Sequence, residues 1–112
     1  WNILLDERGG PNHVQNFCFA PIHADTKTGK LIYTPTYYYI GHFSKFIKPG
    51  AVRVSTTTSR TAIESTSFKN KDGKIVTVVM NKTDAKIGYK LIVGESETLI
   101  EIAPRAMQSI IY

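Results

Sequence analysis

The sequence predicts a mainly β fold, a sandwich half or small barrel, preceded by a loop-rich segment and a single helix. Three observations carry that expectation. After Gly50, short apolar runs recur with turns roughly every ten residues, the spacing of sandwiches and small barrels. Only the stretch 34–48 has apolar residues three and four apart, as a helix requires. Before it, Gly9-Gly10-Pro11-Asn12 permits sharp reversals that no regular element tolerates.

Taken in order, residues 1–5 are apolar enough for a buried strand or its end. They read as a strand entered in mid-course, which suggests that Trp1 follows a cut. Residues 6–19 read as loop, followed by a short extended piece over 20–25. A tight turn at Lys27-Thr28-Gly29-Lys30 then leads to Leu31-Ile32-Tyr33. A long loop carrying Asn, Phe and His is usually functional. In the helix, Thr34 is placed to cap the first turn, and Pro35 suits the first helical position because its missing N–H would be unpaired there anyway. Tyr37, Ile40, Phe43, Ser44 and Ile47 share one face, and Pro49-Gly50 ends the element.

Beyond the helix, strands are expected over 51–58, 61–68, 75–80, 87–93, 98–102 and 107–112. Asp72-Gly73 marks a hairpin turn with positive φ. Residues 75–80 are apolar on both faces and belong in the centre of a sheet, whereas Ile87, Tyr89, Leu91 and Val93 alternate like a half-buried strand. So few strands cannot cover the valines of a central strand and a tyrosine-rich helix as well. The helix, and one sheet face with it, is therefore expected to pack on structure outside these residues.

With 112 residues, 42% of them hydrophobic, the chain fits one small domain. The net charge of +5 is spread over lysines from Lys27 to Lys90, with no basic arm or helical stripe, which argues against nucleic acid. Cys18 is the only cysteine, which excludes an internal disulfide and a thiolate zinc site. No apolar run approaches the length of a membrane span, and nothing calls for a cofactor.

None of the nine carboxylates sits beside a histidine or a second carboxylate in a setting that would tune its pKa for catalysis. His13, His23 and His42 lack metal-ligand spacing, Cys18 with His23 is a weak nucleophile pair, and Asn81-Lys82-Thr83 matches a glycosylation acceptor. Trp1, Asn16 and Phe17 are better equipped: an aromatic ring stacks on sugar C–H faces while an amide bonds hydroxyls. Ordinary core aromatics remain the plainer reading of those residues.

Trp1-Asn2, Gly9-Gly10-Pro11-Asn12, Asn16-Phe17, Ala20-Pro21-Ile22, the string from Tyr38 to Ile47 containing Gly41-His42-Phe43-Ser44-Lys45-Phe46, and Pro49-Gly50 with Arg53 resemble the C-terminal portion of glycoside hydrolase family 30. The resemblance covers nearly the whole chain. It implies a parent enzyme, a retaining β-glycosidase with a (β/α)8 barrel fused to a β-sandwich, acting on glucosylceramide, a β-1,6-glucan or another β-glucoside. It implies that residues 1–50 are the end of the barrel, with the helix at 34–48, and that 51–112 belong to the sandwich. Trp1, Asn16 and Phe17 would then lie at the glycone pocket and its rim, with Cys18 touching the aglycone. The partners implied are the remaining catalytic barrel and a β-linked glucoside or glucan, in a secreted, periplasmic or lysosomal setting.

No carboxylate here matches either catalytic glutamate of that family, so the isolated chain is expected to be inert. The competing expectations are a stand-alone sugar-binding β-module, with Tyr89 and Tyr112 as its candidate aromatics, and a structural sandwich with no sugar affinity.

Overall fold

The computed structural model describes residues 2–112; Trp1 lies outside the described residues. The chain divides into two compact units, one ending at Gly41 and the other spanning His42–Tyr112.

The first unit holds a three-stranded sheet of β1 (Leu4–Asp6), β2 (Ile22–Asp25) and β3 (Lys30–Tyr33). β1 runs parallel to β2, and β2 is antiparallel to β3. Asp25 shapes the β2–β3 turn by accepting from the Lys27 and Thr28 amides and from the Thr28 hydroxyl. Among the described residues of the stretch 1–5 expected to be buried, Ile3 and Leu4 are exposed and Leu5 is only partly covered. Leu31, Ile32 and Tyr33 are exposed as well, and among the described residues of the unit Ala20, at 5%, is the buried hydrophobic one. This sheet has hydrogen bonds but almost no core.

The helix α1 spans Pro35–Ser44, shorter than the 34–48 expected. Pro35 does open it. Thr34, however, donates its hydroxyl to the Pro21 carbonyl instead of capping the first turn. The far end stops early because the Asn70 side chain captures what would be the last turn, donating to the Phe46 carbonyl and accepting from the Lys48 amide. No residue of α1 is buried, and Tyr37, Tyr38, Tyr39, Ile40 and Phe43 are all exposed.

The second unit is the sandwich. Its larger sheet has the order β4 (Val52–Val54), β5 (Ile63–Lys69), β6 (Ile75–Asn81), β9 (Met107–Ile111), all antiparallel. β7 (Ile87–Val93) and β8 (Ser96–Ile102) form a separate hairpin. β6 is central as expected, since Val76, Thr77, Val78 and Val79 are β-branched and all buried. Ile63, Val79 and Ile102 form the core cluster, flanked by Ile87, Tyr89, Ala106 and Ile110. The β5–β6 turn has Gly73 at φ 89°, with its amide donating to the Asn70 carbonyl, as Asp-Gly suggested. The strand expected over 51–58 stops at Val54, leaving 55–60 without ladder bonds.

The hairpin covers the larger sheet incompletely. An open cleft of about 910 Å3 remains within this unit, with Ser65, Ser67 and Thr77 on its floor and Tyr89, Leu91 and Tyr112 among its walls.

Candidate functional site

The loop between β1 and β2 is drawn shut by its own backbone. Gly10 bridges Cys18, its amide donating to the Cys18 carbonyl at 3.1 Å. Gly9 sits at φ 75°, where a side chain would be strained, and a β-carbon there would lie 2.5 Å from the Cys18 carbonyl oxygen. Inside the bridge, residues 12–14 make one 3-10 turn, and the Val14 and Asn16 amides both donate to the Pro11 carbonyl. A loop rich in turn residues thus becomes a closed ring with a fixed outer surface.

That ring brings together three of the four residues expected to meet substrate. Asn16, Phe17 and Cys18 are consecutive and exposed, Phe17 at 61%. Cys18 donates its thiol to the Asn16 amide oxygen at 3.1 Å, which orients the amide and leaves its NH2 free to donate outward. The thiol therefore pairs with Asn16 and not with His23. His23 instead packs against Phe19, ring centroids 5.0 Å apart, and its Nε2 is buried without a hydrogen-bond partner. Phe19, at 71%, is more exposed than Phe17, yet it was not among the expected residues. Trp1 falls outside the described residues.

The carboxylates nearby act as structural acceptors. Glu7 accepts from the Thr26 amide and hydroxyl, and those bonds hold its pKa below the ordinary 4.5 against the upward push of burial and of the like-charged Asp25. The Thr28 hydroxyl and amide, with the Lys27 amide, likewise lower Asp25 below 3.8. Asp6 is engaged by the backbone and guanidinium of Arg8. In the other unit Arg105 lowers Asp84, and Glu64, Glu97 and Glu101 pair with lysines. A general acid working near neutral pH needs its pKa raised, and these shifts run the other way. Among the described residues no group of three or more His, Cys, Asp or Glu could hold a metal.

Two other sequence motifs resolve in the second unit. Asn81 is 1% exposed, and its side chain donates to the Ala85 and Ala103 carbonyls while accepting from the Thr83 amide and hydroxyl. The glycosylation triplet is therefore a buried turn lock. Tyr89 and Tyr112 both line the cleft, but their hydroxyls are committed, to Gln108 and Thr77 respectively. Burial pushes the Tyr89 phenol above its usual pKa.

Comparison with known proteins divides the chain between residues 47 and 50, a few residues beyond the unit boundary after Gly41. Residues 1–47 match the glycosyl hydrolase family 30 TIM-barrel domain, and residues 50–110 match the family's β-sandwich domain. The chain is 39% identical over 88 residues to mouse lysosomal acid glucosylceramidase, covering 78% of the chain and 17% of that protein. It is 30% identical over 115 residues to putative glucosylceramidase 3 of Caenorhabditis elegans, covering all of the chain and 22% of the relative. The crystal structure of SrfJ from Salmonella typhimurium superposes with a TM-score of 0.94 at 32% identity, over the whole chain and 25% of that structure. The endo-β1,6-glucanase BT3312 gives 0.85 at 26% identity, over 97% of the chain and 25% of that structure. The chain thus spans about a fifth of the curated relatives' length. It belongs to glycosyl hydrolase family 30.

Proposed function

We propose that the natural protein is a retaining β-glycosidase acting on β-glucosides, such as glucosylceramide or a β-1,6-glucan. These residues supply one wall of its sugar pocket and most of an accessory sandwich. The observation that carries this reading is the closed ring at 9–18, which presents Asn16, Phe17 and Cys18 to solvent from a sheet with almost no core. A surface closed by its own backbone bonds, on a unit so poorly buried, suits a pocket wall held between other elements. The glucosylceramidase and glucanase relatives supply the substrate class.

In this reading residues 1–50 close the catalytic barrel, and 51–112 form the sandwich. The Asn16 amide bonds a sugar hydroxyl, Phe17 covers the pocket rim, Cys18 faces the aglycone, and Trp1 stacks on the glycone ring. The nucleophile and acid/base glutamates, which a retaining enzyme holds about 5–5.5 Å apart, come from outside these residues. The 112-residue chain alone is then inactive. Its contribution to catalysis is orientation: holding the sugar so that the anomeric carbon meets the nucleophile converts binding energy into rate.

A second reading, a sugar-binding sandwich module without catalysis, is favoured by the hydroxyl-lined cleft with Tyr89 and Tyr112. One experiment separates the two. In the natural full-length protein, Asn16→Ala and Trp1→Ala should lower kcat/KM on an aryl β-glucoside about tenfold or more, the loss expected for one substrate contact. Tyr112→Ala should leave it unchanged. Unchanged kinetics in the first two, with sugar affinity lost in the third, would favour the module and overturn the pocket-wall reading.

A further inference from the structure

Two backbone anchors and one side-chain partner together decide which end of the Asn16 amide faces outward. Gln15 ends the 3-10 turn in the left-handed region at φ 55°, its own amide donating to the Asn12 carbonyl. The Asn16 backbone amide then donates to the Pro11 carbonyl at 3.2 Å, and two residues later the Cys18 carbonyl accepts from Gly10 at 3.1 Å. Asn16 and Cys18 are thus both tied to the opposite side of the ring, which fixes the spacing between their side chains. Across that spacing the Cys18 thiol lies 3.1 Å from Asn16 Oδ1. A side-chain amide has almost the same outline either way round, so its hydrogen-bond partner chooses the orientation and sterics do not. A thiol is a weak donor, and its sulfur is a poor acceptor beside an amide oxygen. The bond from S–H to Oδ1 is therefore favoured over one from the NH2 to sulfur, and it turns the Asn16 NH2 away from Cys18. Asn16 is exposed, and among the described residues that NH2 makes no hydrogen bond.

We propose that Asn16 meets the sugar as a hydrogen-bond donor, and that Cys18 is the positioning residue that holds it that way round. Both halves rest on the pocket-wall reading of Asn16. They add the polarity of the contact and the part the thiol plays in it. A donor at this point recognises a lone pair on a sugar oxygen, so the hydroxyl it meets keeps its own proton for a different acceptor. Cys18 acts through Asn16, and its thiol need not touch the substrate. A side chain without a donor at position 18 leaves the amide to turn over, with Oδ1 outward part of the time. Binding then draws only on the fraction of molecules whose NH2 faces the sugar, and apparent affinity falls by that fraction. The effect is modest because water competes for an exposed amide.

The test is a mutant cycle in the natural full-length protein, with kcat/KM read on a soluble aryl β-glucoside. Cys18→Ala should lower kcat/KM about threefold at an unchanged thermal midpoint, as the competent fraction of the amide falls. Cys18→Ser keeps an O–H where the thiol stood and should recover most of that loss. In an Asn16→Ala background, Cys18→Ala should change nothing further, because the side chain it positions is gone. Asn16→Asp keeps the outline but offers an oxygen in place of the NH2, and it should fall at least as far as Asn16→Ala. Unaltered kcat/KM in Cys18→Ala, no recovery in Cys18→Ser, an equal Cys18→Ala effect in both backgrounds, or parental activity in Asn16→Asp would each overturn the proposal. Loss in Asn16→Ala without loss in Cys18→Ala strikes the thiol's role alone. Unaltered kinetics in Asn16→Ala strike the pocket-wall reading, and the proposal with it.

Discussion

In residues 42–112 the β-branched side chains of β6 find cover on both faces, while in residues 2–41 Ile3, Leu4, Leu31 and Ile32 stay about half exposed. Apolar content is similar in kind, but the outcome differs. The second unit closes a cluster around Ile63, Val79 and Ile102, whereas among the described residues of the first Ala20 is the one buried hydrophobic beside its hydrogen-bonded strands. Hydrogen bonds in a sheet contribute little net stability without apolar burial, because water offers the same bonds to the open chain. A sheet held mainly by its ladder and a closed loop therefore needs another surface, and the tyrosine face of α1 needs one too.

The largest test of that contrast is Ile102→Ala set against Ile32→Ala. Ile102 is 1% exposed, so truncation should cost about 2–5 kcal/mol in chemical denaturation of the second unit. Ile32 is 53% exposed, and the same truncation in this chain should stay within about 0.5 kcal/mol. Equal costs would break the comparison. Asn81→Ala should follow at roughly 2–3 kcal/mol, because it strands the Ala85 and Ala103 carbonyls and the Thr83 amide where water does not replace the lost side chain. Next comes Gly9→Ala, which forces a β-carbon onto the Cys18 carbonyl at positive φ and should cost about 1–3 kcal/mol of loop order. The amide of Gly10 should then exchange faster while those of β6 are unchanged; unaltered Gly10 protection would contradict the closed-ring account.

The smallest effect is set by pH. Glu7 and Asp25 have folded pKa values below their ordinary 4.5 and 3.8. Their contribution is thus fully present above those values and is lost as pH falls through the lowered ones. The Thr26 and Thr28 amides should hold their exchange protection at neutral pH and begin to lose it only under acid, once exchange is corrected for its intrinsic pH dependence. Loss at neutral pH would contradict the assignment of these carboxylates.

Much of the sandwich was legible because its strands alternate or carry β-branched residues, and the centrality of β6 followed from its having no polar face. What escaped reading depends on partners distant in sequence. The helix stops at Ser44 because Asn70, more than twenty residues away, takes the Phe46 and Lys48 backbone groups. Thr34 fails to cap because the Pro21 carbonyl lies within its reach. The parallel pairing of β1 with β2 spans a long loop that no local pattern announces. At the ring, Asn16 and Phe17 could be singled out from residue type, and Cys18 only through the family resemblance. The bond that orients the Asn16 amide required the fold.

Hydrogen exchange at β2 and β6, followed in this 112-residue chain and in the natural full-length protein, tests the central claim most directly. The account predicts that Ile22–Asp25 exchange far faster than Ile75–Asn81 in the short chain and become comparably protected in the full-length protein. Strong protection of β2 in the short chain, or none gained in the longer one, would contradict it.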